Sequence, residues 1–150
     1  MRKHQKGFVL IGMAVGMLLM LATLGMAFDF GRIYIARNEA QVFTDAAALT
    51  AAVKLDGTPG GLQQARESVA KLPNRWNLGT QEFQGVVVQF SADGEKWSVQ
   101  PADAAVVAYA RVTAPANDVE ITFLRAVGGP ESFTVPAHSV AAIQPVRLTE

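Results

Sequence analysis

Few side chains in this 150-residue sequence stand at spacings that could do chemistry. The two histidines, His4 and His138, lie at opposite ends of the chain, too far apart in sequence to suggest a metal site or a catalytic dyad. Cysteine is absent, which removes disulfide frameworks, thiolate zinc sites and thiol nucleophiles together. Ser98, Ser132 and Ser139 have no nucleophile-elbow context. The stretch Gly57-Thr58-Pro59-Gly60-Gly61 is glycine-rich, yet it lacks the Lys-Ser/Thr pair of a phosphate loop and follows a helical pattern, so it reads as a linker. Asp93 and Glu95 fall far short of a calcium loop. Trp76 and Trp97 read as core or rim residues, with Trp76, after Asn74-Arg75 on an expected loop, also a candidate partner contact. The expectation is a protein that is not an enzyme and carries no metal or cofactor. Thirteen basic and thirteen acidic residues balance, so no net basic charge points to nucleic acid.

What remains is a physical signal. Between Lys6 and Asp29 lie 22 uncharged residues, Gly7 to Phe28. As a helix they span about 33 Å, against a hydrocarbon core of about 30 Å. Arg2, Lys3 and Lys6 precede the run, and no acid occurs before Asp29. Basic flanks stay inside, which predicts a cytoplasmic N-terminus and an extracytoplasmic remainder. A cleaved signal peptide competes, with Gly25 and Ala27 as small residues before a cut, but its apolar core would exceed the usual length. A buried core helix also competes and is disfavoured by the unbroken apolar surface. A retained anchor is the preferred reading. Gly12 and Gly16, one turn apart, would let a second helix approach and support a homo-oligomer; glycine is also simply common in membrane helices.

The helical pattern continues beyond the run. Phe30, Ile33, Ala36, Ala40, Phe43, Ala47 and Ala51 recur at spacings of three and four. Small residues fall every fourth place at Ala36, Ala40, Thr44, Ala48 and Ala52, forming a strip against which a sheet or another helix could pack. Gln41 and Asp45 are one turn apart and can bond to each other. Asp56-Gly57-Thr58-Pro59-Gly60-Gly61 ends the helix. Asp29 and Arg32 stand at the outer membrane edge, either as a contact to another subunit or as charges that end the span; the second reading is preferred.

Residues 56–150 read as a small body. Leu62, Ala65, Val69 and Leu72 mark a helix with Thr58 as N-cap and Pro59 at its first position. Expected strands are 83–90, 96–100 after a turn at Ser91–Gly94, 104–113, and 132–145 bent at Pro136; residues 119–127 are ambiguous between helix and strand. The predicted fold class is α+β: a long transmembrane helix continuing into a small antiparallel sheet domain of about four strands with one or two short helices. The expected divisions are a basic flank at 1–6, a transmembrane helix at 7–28, its continuation at 29–55, and the sheet domain at 56–150.

Asp29-Phe-Gly31-Arg32-Ile-Tyr-Ile-Ala-Arg37, then Gln41 and Asp45-Ala46-Ala47-Ala48-Leu49-Thr50-Ala-Ala52, resembles the TadG-like (TadE/TadG-like) proteins of Tad, or Flp-type, pilus assembly systems. Thr50 stands where that family usually has Ala. The tail Val135–Ala142 is similar to the family's final strand. The resemblance covers 7–55 well and 104–143 loosely. It implies a single-pass inner-membrane component of a bacterial pilus or secretion apparatus, with its body in the periplasm and other pilus subunits and membrane lipid as partners. Larger members carry an adhesion-type metal-binding domain; none is expected here. Lys6-Gly7-Phe8 is also similar to the leader end of type IV prepilins, which are cut after the Gly, but Gly12 stands where pilins usually have Glu. A pilin-like subunit cut after Gly7, and a soluble binding module released after Ala27, are the alternatives.

Overall fold

A computed structural model describes residues 5–115 and 117–143, with side chains from residue 7. The basic flank 1–6 and the tail from 144 lie outside the described side chains. The α+β class expected from the sequence is the one found. A single helix, α1, runs from Gln5 to Val53 without interruption, a length of about 73 Å. No proline occurs before residue 59, and alanines concentrate toward its outer end, so nothing in the sequence breaks it. Its last turn tightens, with Lys54 N–H donating to Ala51 O at 3.1 Å and Leu55 N–H to Ala52 O at 3.0 Å. Gly57 then takes φ +78° in the turn that redirects the chain away from α1.

The glycine-rich stretch is not a linker but the start of α2, Pro59–Ala70. Thr58 caps it by accepting from Gly61 N–H at 3.1 Å, while the Asp56 carboxylate accepts from the Thr58 N–H and hydroxyl. Gly61 is there for space as well: a Cβ on it would lie 2.1 Å from Asp56 Oδ1. Leu62, Ala65 and Val69 form the buried face of α2.

A short hairpin follows, β1 Arg75–Trp76 and β2 Gln81–Glu82. The main sheet has three antiparallel strands in the order β3 (Val87–Ser91), β4 (Tyr109–Ala114), β7 (Ala137–Ala142). A separate ladder pairs β5 (Asp118–Glu120) with β6 (Ser132–Thr134), and α3 (Phe123–Ala126) lies between those two strands in sequence.

The strands thus differ from the expected four. Residues 96–100 do not return as a strand; they hold β3 by one bridge between Phe90 and Ser98. Trp97 instead lies under the Arg111 guanidinium, 4.4 Å from its ring centre, and Pro101 cannot donate to a ladder. The 104–113 strand starts only at Tyr109. The ambiguous 119–127 segment is both things in turn, a strand end and then one helical turn. The last expected strand breaks at Val135–Pro136, so its two pieces join different ladders; its end at Gln144 and Pro145 falls outside the described residues.

Strand alternation places Ala110, Val112 and Ala114 of β4 and Ala137, Ser139 and Ala141 of β7 on one buried face. That face lies against α1. One apolar cluster joins Ala47, Ala48, Ala51 and Ala52 of α1 to α2, Phe90, Ala110 and Val112. A second joins Ala36, Ala40 and Phe43 of α1 to Trp76, Phe83, Ala114, Val119 and Ala137. The outer half of α1 therefore runs through both cores of the body. Alanine faces alanine across much of this contact, so helix and sheet approach closely.

Candidate functional site

The feature with functional content is the long helix itself: what it shows to the outside, and how the body is fastened to it. From Phe8 to Leu24 its large apolar side chains are exposed, Phe8 at 81%, Leu18 at 67% and Leu24 at 62%. It is the one helix among the described residues long and apolar enough to cross a membrane, and none of its apolar window is buried within the chain. Gly12 and Gly16 lie in this part with nothing within 4 Å of an added Cβ. Gly31 is equally open.

Three seams fasten the body to α1. The outermost is polar. Gln41 Nε2 donates to Asp45 Oδ1 at 2.9 Å and to Ser139 Oγ of β7 at 3.0 Å. The Ser139 hydroxyl donates to the same Asp45 oxygen, and Thr44 Oγ1 lies 2.9 Å from Ser139 Oγ. The pair that the sequence placed one turn apart thus clamps the buried face of the edge strand β7.

The middle seam is Glu39. Its carboxylate accepts from the N–H of Asn77 at 2.6 Å and of Leu78 at 3.2 Å. Asn77, Leu78 and Gly79 take φ of 52°, 59° and 79°, a left-handed turn that is unfavourable for leucine. It presents successive N–H groups, and the carboxylate satisfies two of them.

The inner seam is Asp29, which is fully buried. Its carboxylate accepts from three consecutive backbone N–H groups at the start of α3: Thr122 at 3.1 Å, Phe123 at 2.7 Å and Leu124 at 2.7 Å. Burial raises its pKa, and those N–H groups together with the Arg32 charge outweigh the effect, so the carboxyl sits below its ordinary value of 3.8. Asp29 therefore neither ends the span as a free charge nor offers its carboxylate to another subunit; it caps a helix of its own chain. Beside it the Phe28 and Phe123 rings meet edge to face at 5.7 Å. A Cβ on Gly25 would come within 2.7 Å of Phe123 side-chain atoms, so glycine there is what admits the ring.

The small-residue strip is occupied in the same way. Ala36, Ala40, Thr44, Ala48 and Ala52 are all buried against the chain's own sheet and so leave no open surface for a partner. Of the Asp45–Leu49 run, Ala47 and Ala48 are buried, whereas Ala46 and Leu49 face outward. The surface α1 does leave open is one the sequence reading passed over: Phe28, Ile35, Val42 and Leu49, exposed and seven residues apart, with Val53 one turn further. That is the spacing of a helix-packing seam. The heptad is present in the sequence, but it is interleaved with the more numerous alanines of the opposite face.

Trp76 is not a partner contact. It is 2% exposed, stacked on Phe83 at 5.7 Å, and its Nε1–H meets no acceptor among the described residues. His138 is exposed on β7. Among the described residues no group of three or more His, Asp or Glu is placed to hold a metal ion. A groove of about 350 Å³ between α2 and β3, lined by Phe43, Arg66, Val69 and Val86–Val88, is apolar and holds no convergent acid or base.

Residues 7–54 match the family described as putative Flp pilus-assembly TadE/G-like. The match runs from Gly7, the first residue of the uncharged run, to one residue past the end of α1, so the likeness to that family is carried by this helix. No curated protein and no solved structure matches the chain.

Proposed function

We propose that this protein is a single-pass assembly component of a Tad-type pilus or related secretion apparatus, anchored in the bacterial inner membrane. Its N-terminus faces the cytoplasm and its body the periplasm. It works without catalysis, by helix packing and protein–protein contacts. The observation that carries the reading is the coincidence of the family match with α1, whose inner half exposes only uncharged side chains. Transferring such a surface from water into hydrocarbon is favourable by about 25 cal/mol per Å². Retention of the segment is supported by the packing of Gly25 and Phe28 against Phe123.

The outer half of α1 then acts as a rod whose one face holds the body and whose other face, through Ile35, Val42, Leu49 and Val53, meets helices of other pilus subunits. Within the membrane Gly12 and Gly16 are open to a second copy. Two measurements test this. Fractionation should leave the full-length chain in the membrane pellet after an alkaline carbonate wash; recovery in the soluble periplasm, or in a sheared surface fraction with mass lost before Phe8 or Phe28, overturns it. Val42→Glu with Leu49→Glu should abolish pilus assembly while the body stays folded, and unchanged assembly rejects the proposed contact face.

A further inference from the structure

The segment Thr122–Pro130 is tied at its start to Asp29, the first residue of the outer half of α1, and extends from there along the part of α1 assigned to the membrane. Phe123, Ala126 and Val127 form one wall of an apolar groove of about 710 Å³, and α1 forms the other with Val15, Leu18 and Ala22. Phe123 and Val127 are both exposed, Val127 at 65%. Phe28 meets one edge of the Phe123 ring, and among the described residues no other element covers this wall of the groove.

We infer that α3 and the turn after it are an interfacial membrane foot, seated in the periplasmic leaflet at the boundary of headgroups and acyl chains. The inference rests on the anchor reading above, because the depth of the foot is set by α1. At 1.5 Å per residue, Gly25, against which Phe123 packs, lies about 5 Å inward of Phe28, the last residue of the uncharged run, while Ala22, Leu18 and Val15 of the groove wall lie about 9, about 15 and about 20 Å inward, so the foot enters at the boundary and its groove opens onto the acyl chains. The apolar faces of interfacial helices sit about 5–10 Å into that boundary. The occupant of the groove is argued from continuity: its α1 wall belongs to the lipid-facing surface.

A second observation is independent of the apolar surface. Backbone placed at that depth must have its polar groups satisfied, since hydrocarbon offers no partners. Here Asp29 accepts from the N–H groups of Thr122, Phe123 and Leu124. Ile121 N–H donates to Glu131 O at 2.9 Å. Val127 and Gly129 N–H donate to Leu124 O at 3.1 and 2.8 Å, and Gly128 N–H donates to Arg125 O at 3.1 Å. The one charged side chain of the segment, Arg125, pairs at 2.9 Å with Glu131 just after it, and the two line a separate polar hollow with Glu120 and Ser132. Long side chains of this kind reach the headgroup layer while their stems stay apolar.

The test uses the absence of cysteine, which makes single labels unambiguous. Full-length Val127→Cys, Ala126→Cys, Leu18→Cys and Thr80→Cys variants are spin-labelled and reconstituted in vesicles of phosphatidylethanolamine and phosphatidylglycerol. Accessibility to oxygen and to a water-soluble nickel complex is then compared. The expected result is an oxygen-to-nickel ratio at residues 126 and 127 shifted from the aqueous value at residue 80 toward the membrane value at residue 18. A membrane value at 18 with an aqueous value at 126 and 127 overturns the foot and leaves the anchor standing. An aqueous value at 18 overturns the anchor and the foot together. Labels at 126 and 127 screened from both reagents overturn the foot in favour of a protein helix in the groove.

Discussion

The two halves of α1 are one unbroken helix with the same backbone, yet they meet their surroundings in opposite ways. From Gly7 to Phe28 the side chains are uncharged, the large ones are apolar and mostly exposed, and only Gly25 is buried. From Asp29 to Val53 one face is alanine and threonine, covered by a sheet, and charged residues occur throughout. The difference shows that hydropathy and side-chain size carry separate instructions. Uncharged bulk without a partner asks for lipid. Small residues at helical spacing ask for a close protein neighbour, because they let backbones approach and leave polar groups such as Gln41 and Asp45 within reach of the sheet.

The sharpest break in the comparison comes from phenylalanine. Phe43, 7% exposed, stacks on Phe83 at 4.7 Å in the cluster that holds Trp76. Phe43→Ala should cost about 3–5 kcal/mol of body stability. Phe8→Ala, where the side chain is 81% exposed, should leave it unchanged. Urea unfolding in detergent, followed by tryptophan fluorescence, reads both, because Trp76 and Trp97 lie in the body. Equal effects would mean that the inner half is part of the folded core after all.

Steric size should separate the halves less strongly. Ala40 is fully buried against the sheet, and Ala40→Leu should cost about 1–3 kcal/mol through overpacking. Gly16→Leu has open space around it and should not change the body's unfolding midpoint. Gly25→Leu belongs with the outer half despite its position, since Phe123 must move to admit the side chain; protease sensitivity at 122–130 should rise in that variant and not in Gly16→Leu.

Much of this contrast could be read from the chain. The uncharged run, the alanine strip and the Gln41–Asp45 pair follow from spacing alone. What could not be read were the long-range partners. Asp29 looks like any charge at the end of a span until α3, more than ninety residues later, presents three N–H groups to it. Glu39 gives no sign that it will meet the turn at Asn77–Leu78. Trp76 follows two polar residues and looks exposed, but the hairpin turns its ring inward onto Phe83. The strand at 96–100 was unreadable for a related reason: the Arg111 guanidinium of β4 arrives over the Trp97 ring, and the segment keeps a single bridge, Phe90 to Ser98. Local periodicity carries no information about which distant element arrives.

The smallest expected effect concerns acid. The inner half contains no titratable side chain between Gly7 and Phe28, whereas the body depends on three carboxylates with lowered pKa values. Asp93 is held at about 2 by the N–H groups of Lys96 and Glu95 and by the Ser91 hydroxyl, which outweigh its burial. Asp56 is lowered mainly by the hydroxyl and N–H of Thr58, and Asp29 by the groups of the inner seam. A carboxyl whose folded pKa lies below its unfolded value stabilises the fold fully above the unfolded value; that stabilisation is lost as pH falls through the folded one. The body should therefore hold a constant unfolding midpoint down to about pH 4 and lose stability between there and about pH 2. The helical signal of the inner half should persist through the same range. Asp93→Asn should lower the midpoint at neutral pH and flatten the acid dependence by that residue's share. If the midpoint falls between neutrality and about pH 5 instead, above the range of any shifted carboxylate, some other group governs the body, and the separation of the two halves by titration is lost.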